Sequence, residues 1–151
     1  METVLENKNE MQNFFTGALN TTAPYKFLVV EDDESQWPLW ENIIKTTFPN
    51  SEVDYQPTEA GAEALLRHSF HVEQPYDVVI SDIFLEGDET GIDLWTRFGE
   101  VSGHFVFVSS MTLGSFDSII NNIRTSSSIL PVYLQKPLSS RLCKEVIKSL
   151  L

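Results

Sequence analysis

The sequence predicts an α/β protein built on a parallel sheet with helices on both faces, and three observations lead to this class. Short apolar and β-branched runs alternate along the chain with longer stretches of helical periodicity. The runs are apolar at nearly every position, which is typical of strands buried on both faces of a parallel sheet. Acidic, hydroxyl or basic residues follow directly after most of these runs.

Five segments are predicted to be strands. Residues 26–31 and 76–82 are almost unbroken apolar runs that end in acids. Residues 104–109 have the same form but end in a hydroxyl residue, and residues 131–135 form a shorter run. Residues 51–56 are the weakest candidate, because they show the polar alternation expected at a sheet edge.

Five helices are predicted between and after the strands, at residues 34–48, 58–67, 91–98, 115–123 and 139–151. Asp33 is a suitable N-cap for the first helix. Pro38 is tolerated in its first turn, because backbone N–H groups there lack an intrahelical partner. The fourth helix lies in a Ser-, Asn- and Gly-rich stretch, residues 112–128, which predicts a short or mobile element. The predicted inward faces comprise Leu39, Trp40, Ile43, Ile44 and Phe48 in the first helix, Ile92, Leu94 and Trp95 in the third, and Leu142, Val146, Ile147 and Leu150 in the fifth.

The count of β-α units predicts the connectivity of the sheet. Five units within about 125 residues fit a flavodoxin-like doubly wound sheet with strand order 2-1-3-4-5. No G-x-G-x-x-G follows the first strand and no G-x-x-x-x-G-K-[ST] occurs, so a nucleotide site is not predicted. Residues 25–151 are predicted to form one domain. Residues 1–24 do not fit this alternation of strands and helices. They are predicted to form a disordered or loosely docked tail, or alternatively a short helix that pairs with a partner or a second copy.

Composition narrows the possible partners. The formal net charge of −12 argues against nucleic acid and anionic membranes as partners, because both are polyanions. No apolar run is long enough to span a bilayer. Residues 1–6 carry acids where a secretory signal carries bases, so a cytoplasmic protein is expected. The single cysteine, Cys143, lies in an apolar helical pattern and is predicted to be a buried, unreactive thiol.

Reactive side chains follow four of the five predicted strands. Glu31 and Asp32 come after the first strand, Asp82 ends the third, Ser109 ends the fourth and Lys136 follows the fifth. In the order 2-1-3-4-5 these four strands are neighbours, and ligands of such sheets bind beyond the carboxyl ends of the strands. Each residue by itself has an ordinary structural explanation. Their joint occurrence at four adjacent strand ends favours a functional site.

The chemistry of such a site follows from its charges. Clustered carboxylates raise one another's proton affinity unless a cation neutralises them, and Mg²⁺ (or Mn²⁺) prefers oxygen ligands of this kind. An aspartate beside the metal can attack a phosphoryl donor and form an acyl phosphate. A lysine and a serine would then stabilise the oxygens of the transferred group.

The motifs resemble those of receiver domains of two-component response regulators, including the single-domain chemotaxis regulator. The resemblance covers residues 25–151 and rests on FLVVEDD at 27–33, DVVISDIFL at 77–85 with GIDL at 91–94, VFVSS at 106–110 and YLQKP at 133–137. It implies that Asp82 is the phosphoacceptor and a metal ligand. It also implies that Asp32 binds Mg²⁺ directly, that Glu31 completes the acidic pair, and that the backbone carbonyl of Phe84 is a further ligand.

The resemblance assigns roles to the other strand-end residues as well. Ser109 would hydrogen-bond a phosphoryl oxygen, and Lys136 would pair with the phosphoryl group, followed by a cis peptide bond to Pro137. Tyr133 would be the aromatic switch residue coupled to Ser109. One departure concerns residues 86–90, which carry three acids and form a run one residue longer than is common in the family, so the resemblance does not predict the lifetime of the phosphate.

The expected function is therefore that of a stand-alone phosphoacceptor without an output domain, which catalyses only its own phosphorylation and dephosphorylation. Its expected partners are a histidine kinase or phosphotransfer protein, and a downstream protein or second copy that binds through the fourth and fifth β-α units. Two alternatives remain: a pseudo-receiver that binds partners without phosphorylation, and a Mg²⁺-dependent phosphohydrolase. The hydrolase is less favoured, because Phe84 stands where such enzymes carry a second acid.

Overall fold

The sheet has the predicted order. A computed structural model describes residues 24–85, 90–123 and 130–151. Its five strands are parallel and lie in the order β2-β1-β3-β4-β5, which confirms the flavodoxin-like doubly wound fold. The strands are β1 (Lys26–Val30), β2 (Glu52–Gln56), β3 (Val78–Asp82), β4 (His104–Ser109) and β5 (Val132–Gln135).

Helices cover both faces of this sheet, as the unbroken apolar strands predicted. They are α1 (Trp37–Thr47), α2 (Glu59–His71), α3 (Gly91–Phe98), α4 (Leu113–Ile123) and α5 (Ser140–Leu150). Buried side chains form two separate clusters. One cluster joins the sheet to α2, α3 and α4, and the other joins it to α1 and α5. The sheet is therefore the central layer of three.

The first helix begins later than predicted. Asp33 accepts a hydrogen bond from the Ser35 amide, and this cap opens a 3-10 turn (Glu34–Gln36) that precedes α1. Pro38 explains the break, because its nitrogen carries no hydrogen and cannot donate the bond that would continue an α-helix back to Glu34. The amide of Trp37 bonds to the Glu34 carbonyl in the tighter i to i+3 pattern instead.

The fifth helix corrects one core prediction. Leu142 was predicted on the inward face, but it is 50% exposed, while Cys143 and Ile147 are fully buried. Residues four positions apart lie on one helical face, and here that face is set by Cys143 and Ile147. Leu142 lies about 100° away from Cys143 around the helix axis. Burial raises the pKa of the Cys143 thiol, in agreement with the predicted unreactive role.

Two other helices are longer than predicted. Helix α2 continues to His71, with Thr58 as its N-cap. Helix α4 begins at Leu113, because the Thr112 hydroxyl oxygen accepts a hydrogen bond from the Ser115 amide and satisfies its first turn. With 11 residues, α4 is as long as α1, so the expectation of a short fourth helix is wrong.

Three predictions fall wholly or mainly outside the described residues. They are the tail at residues 1–24, of which only residue 24 is described, the three acids at residues 86–89, and the end of the Ser-rich stretch at residues 124–128. Among the residues that the structure does describe, no helix combines the length and the apolar character needed to cross a membrane.

Candidate functional site

The register of the sheet brings the predicted site residues to one edge. Val30 pairs with Ser81 and Asp82 pairs with Val108, so Glu31 and Asp82 leave adjacent strands at the same level. The backbone amide of Lys136 donates to the carbonyl of Ser109 at 2.7 Å, which extends the pairing of β4 with β5 by one residue. Strand order and register together therefore place the reactive side chains at the carboxyl end of the sheet.

Asp82 and Lys136 form an ion pair at this edge. The Lys136 Nζ lies 2.9 Å from Asp82 Oδ2 and 3.6 Å from Glu31 Oε2. The other oxygen of Asp82, Oδ1, accepts a hydrogen bond from the Phe84 amide at 3.2 Å. Burial by itself lowers the pKa of Lys136, but the hydrogen bond and charge of Asp82 and the charge of Glu31 outweigh it, so the pKa is raised. Lys136 is therefore a charged ammonium in this site.

Three carboxylates come together beside this ion pair. Oxygen atoms of Glu31, Asp32 and Asp82 all lie within 4.8 Å of one another. Such a set of oxygen donors fits Mg²⁺ or Mn²⁺, which bind one or two carboxylates and retain waters. The backbone of Phe84 adjoins Asp82, as its amide contact shows. The role of the Phe84 carbonyl as a metal ligand stays a prediction. Phe84 as a residue is 60% exposed.

Glu31 is a buried acid of this cluster with a raised pKa. It is only 3% exposed, and burial raises its pKa to about 7, with a further contribution from the negative charge of Asp82. The Asp33 amide, which donates to Glu31 Oε1 at 3.1 Å, and the nearby Lys136 act in the opposite direction. Without a metal, a charged Glu31 is therefore disfavoured in the folded protein.

Replacement of Glu31 by glutamine should stabilise the metal-free protein at pH 8. The folded protein holds the Glu31 proton more tightly than the unfolded chain, so the carboxylate destabilises the fold once the pH rises above 4.5, and fully above about 7. We expect a gain of about 2 kcal/mol in the free energy of unfolding at pH 8 and almost none near pH 4.5. Urea unfolding of the parent and Glu31→Gln in EDTA at both pH values measures this gain.

Glu145 provides the matched control for this prediction. It is an exposed glutamate paired with Arg141 on the same face of α5, so Glu145→Gln should change stability little at either pH. A gain in Glu31→Gln that is the same at both pH values would contradict a buried, charge-based effect.

Asp33 is not part of the carboxylate cluster. Its Oδ1 accepts hydrogen bonds from the Ser35 amide at 3.0 Å and the Ser35 hydroxyl at 2.5 Å. These bonds, led by the one from the hydroxyl, lower the pKa of Asp33. The three consecutive acids after β1 thus divide into two that face Asp82 and one that caps the following turn.

Ser109 lies at the end of β4, next to the strand that carries Asp82, and is buried. Its hydroxyl oxygen accepts a hydrogen bond from the Met111 amide at 3.3 Å. A hydroxyl can donate a hydrogen bond while it accepts one, so Ser109 can still donate to a bound oxygen. The Lys136–Pro137 peptide, which directly follows β5, is cis, as the resemblance implied.

Tyr133 contacts the backbone that follows β4. Its hydroxyl lies 3.1 Å from the Ser109 carbonyl oxygen and 2.5 Å from that of Met111, and it donates to these two oxygens. Its ring stacks on Phe116 of α4, with centroids 4.3 Å apart. Burial raises its pKa, so the hydroxyl is neutral. The predicted switch residue therefore joins the turn after Ser109 to α4.

Gly91 is a residue whose role the sequence analysis missed. Its amide donates to the Ile83 carbonyl at 2.9 Å, which holds the start of α3 against the backbone just beyond Asp82. A Cβ atom at this position would lie 2.2 Å from the Asp82 carbonyl oxygen and 2.6 Å from the Ser81 hydroxyl. Only glycine permits this approach. The available signal was a glycine directly after a polar stretch of sequence and before an apolar helical pattern.

Comparison with solved structures bears on the fold. A two-component response regulator from Clostridium difficile superimposes with a TM-score of 0.65 and 16% identity, over 83% of this chain and 94% of that one. The chemotaxis response regulator CheY4 of Vibrio cholerae gives 0.64 and 16%, over 85% of this chain and all of that one. This chain has the fold of a response-regulator receiver domain.

A third structure has the same receiver fold. The signal receiver domain of a DNA-binding response regulator from Colwellia psychrerythraea gives a TM-score of 0.66 and 20% identity, over 83% of this chain and 97% of that domain. No protein-family model matches the sequence, and no curated protein does. The predicted resemblance to receiver domains is thus confirmed for the fold, and the roles of the site residues rest on their own geometry.

Proposed function

We propose that this chain is a phosphoacceptor receiver that takes a phosphoryl group onto Asp82. One observation carries the proposal: Asp82 lies at the mouth of the sheet between a lysine ammonium and two further carboxylates. The ammonium is 2.9 Å from Asp82 Oδ2, and the oxygens of Glu31 and Asp32 are within 4.8 Å of those of Asp82. A nucleophilic carboxylate, a fixed cation and an oxygen-rich metal site are the groups that phosphoryl transfer requires.

The transfer would occur in one displacement. A carboxylate oxygen of Asp82 attacks the phosphorus atom and forms a new O–P bond, while the bond from phosphorus to the donor breaks and the donor keeps its electron pair. The Phe84 amide, which holds Asp82 Oδ1, and the Lys136 ammonium, which holds Oδ2, orient the carboxylate before the reaction. Because the carboxylate is already oriented, less entropy is lost when it meets the phosphoryl donor.

Lys136 and Ser109 would stabilise the product. When Asp82 becomes an acyl phosphate, its own charge is lost and the phosphoryl oxygens carry negative charge. Lys136 can pair with these oxygens, because its ammonium already lies 2.9 Å from Asp82 Oδ2 at the same edge of the sheet. Ser109 can donate its hydroxyl proton to a phosphoryl oxygen. We expect both residues to interact more strongly with the charged phosphoryl oxygens than with the unmodified Asp82 carboxylate.

Glu31, Asp32, Asp82 and the Phe84 carbonyl are the groups that would hold a magnesium ion. Bound there, it would neutralise the clustered carboxylates and withdraw charge from the phosphoryl oxygens. Burial, with the negative charge of Asp82, raises the pKa of Glu31, so a cation bound beside these acids would favour the charged form of Glu31.

The proposed output runs through Tyr133. A phosphoryl group that draws the Ser109 hydroxyl toward Asp82 would disturb the Ser109–Met111 turn, whose carbonyl oxygens hold the Tyr133 hydroxyl. Because Tyr133 stacks on Phe116, the change would reach α4. A histidine kinase or phosphotransfer protein would be the donor, and a downstream protein or a second copy would bind the β4–α4 and β5–α5 units. Beyond its own phosphorylation and dephosphorylation, no enzymatic activity is proposed.

The decisive experiment is phosphorylation by a small donor. The purified chain, incubated with acetyl phosphate and Mg²⁺, should gain one base-labile phosphoryl group by intact mass, and it should gain none in EDTA. Fragmentation after borohydride reduction should locate the group at Asp82. Mg²⁺ binding without any adduct would favour the pseudo-receiver. Multiple turnovers of phosphate release without accumulated adduct would favour the phosphohydrolase.

A further inference from the structure

The peptide unit between Glu31 and Asp32 is held from outside β1 by a tryptophan side chain. The indole Nε1 of Trp37 donates a hydrogen bond to the Glu31 carbonyl oxygen at 3.0 Å. That oxygen belongs to the planar peptide unit that joins the two acids. A bond to it therefore sets the backbone angles on either side, and with them the directions in which both carboxylates project.

The other polar groups of Glu31 are held as well. Its amide donates to the Gln56 carbonyl of β2 at 3.0 Å, and its Oε1 accepts from the Asp33 amide at 3.1 Å. The indole supplies the donor for the carbonyl. Glu31 is buried, so loss of this donor would favour rotation of the peptide unit toward another partner.

Trp37 is itself held in place by the edge strand and by α1. Its ring stacks on Tyr55 of β2, with centroids 5.2 Å apart and planes inclined by 26°. The Tyr55 hydroxyl in turn donates to the Glu41 carboxylate on α1. Burial, followed by this hydrogen bond, raises the pKa of Tyr55, so its hydroxyl stays a donor. The indole ring of Trp37 is thus held by Tyr55 of β2, which is itself tied to Glu41 of α1.

We propose that Trp37 is a positioning residue for the acidic pair: its indole N–H fixes the Glu31–Asp32 peptide unit so that both carboxylates face a Mg²⁺ ion beside Asp82. The part of this inference that concerns Mg²⁺ rests on the proposed function. The part that concerns the peptide unit does not. Trp37 acts through the backbone of Glu31 and is assigned no direct contact with metal or phosphoryl group.

The test compares two conservative variants. Trp37→Phe keeps an aromatic ring to stack on Tyr55 but removes the N–H donor, whereas Tyr55→Phe keeps the stack and removes only the hydroxyl. Mg²⁺ affinity is measured by titration calorimetry on the unphosphorylated full chain. We expect the dissociation constant to rise about tenfold in Trp37→Phe and by less than about twofold in Tyr55→Phe. An equal loss in both variants would overturn the role of the N–H.

A second readout does not depend on the metal. The Asp33 amide donates to Glu31 Oε1, so its hydrogen exchange in the metal-free protein reports on the acidic turn. We expect this exchange to be about tenfold faster in Trp37→Phe, with exchange in the strand cores unchanged. An unchanged exchange rate of the Asp33 amide in Trp37→Phe overturns the inference. If the parent protein binds Mg²⁺, faster exchange in Trp37→Phe without weaker Mg²⁺ binding overturns it as well. If the parent binds no Mg²⁺, the proposed function fails and the Asp33 rate alone decides whether Trp37 positions the turn.

Discussion

Replacement of Asp82 by asparagine should abolish formation of the phosphoryl adduct. The amide oxygen of asparagine is a poor nucleophile, and the substitution leaves the volume of the side chain almost unchanged, so loss of the reaction would reflect loss of chemistry. We expect the rate of incorporation from acetyl phosphate in the presence of Mg²⁺ to fall by at least about 10³-fold. A time course of intact mass, with parent and variant measured in parallel, gives the ratio.

Asp33→Asn is the matched control for this prediction. Asp33 lies close to the cluster in sequence, but its carboxylate caps the Glu34–Gln36 turn, and asparagine caps such turns equally well. Asp33→Asn also removes one negative charge near the site, as Asp82→Asn does. The control should therefore retain an incorporation rate within a few fold of the parent. A phosphoryl adduct that persists in Asp82→Asn would place the acceptor elsewhere.

Replacement of Gly91 by alanine should cost about 3 kcal/mol of folding free energy. The added methyl group would lie 2.2 Å from the Asp82 carbonyl oxygen and 2.6 Å from the Ser81 hydroxyl, so either α3 or the end of β3 must move. Because the closest atom belongs to the backbone, side-chain rotation alone cannot relieve the contact. Equilibrium unfolding in urea measures the loss as a lower midpoint with an unchanged slope.

Gly114→Ala separates this contact from the general effect of the substitution. Gly114 lies in α4 with nothing within 4 Å of an added Cβ, so alanine there should leave stability unchanged or raise it by about 0.5–1 kcal/mol. An equal effect of alanine at both positions would contradict a steric requirement at Gly91.

Since the strain falls on the Asp82 backbone, Gly91→Ala should also slow phosphorylation in whatever fraction remains folded.

Local sequence patterns were sufficient to predict the strand order and the location of the candidate site. A buried parallel strand is apolar over its full length, so each of the main strands could be recognised without knowledge of its neighbours. Once the order was predicted, the carboxyl ends of four strands had to meet at one edge. Residues as distant as Asp82 and Lys136, 54 positions apart, could therefore be assigned to one site from topology alone.

Packing between distant elements decided what these patterns left open. Leu142 and Cys143 are both apolar, and only the contact of α5 with the sheet determined that Cys143 is buried and Leu142 is not. Asp32 and Asp33 are chemically alike, and the path of the chain after β1 determined which of them faces Asp82. Such choices depend on a rotation of about 100° per residue around a helix or on a single turn, which composition does not specify.

The electrostatic state of the site and its fine geometry also depended on the tertiary structure. The raised pKa of Glu31 arises mainly from burial, and burial is a property of the whole assembly of strands and helices. The close approach of Gly91 to the Asp82 backbone and the hydrogen bond from Trp37 to Glu31 join segments whose relative positions local sequence patterns do not reveal. The sequence by itself determined which chemical groups meet at the sheet edge. Only tertiary packing decided their distances, their charges and the residues that hold them, because those properties arise from neighbours that are remote along the chain.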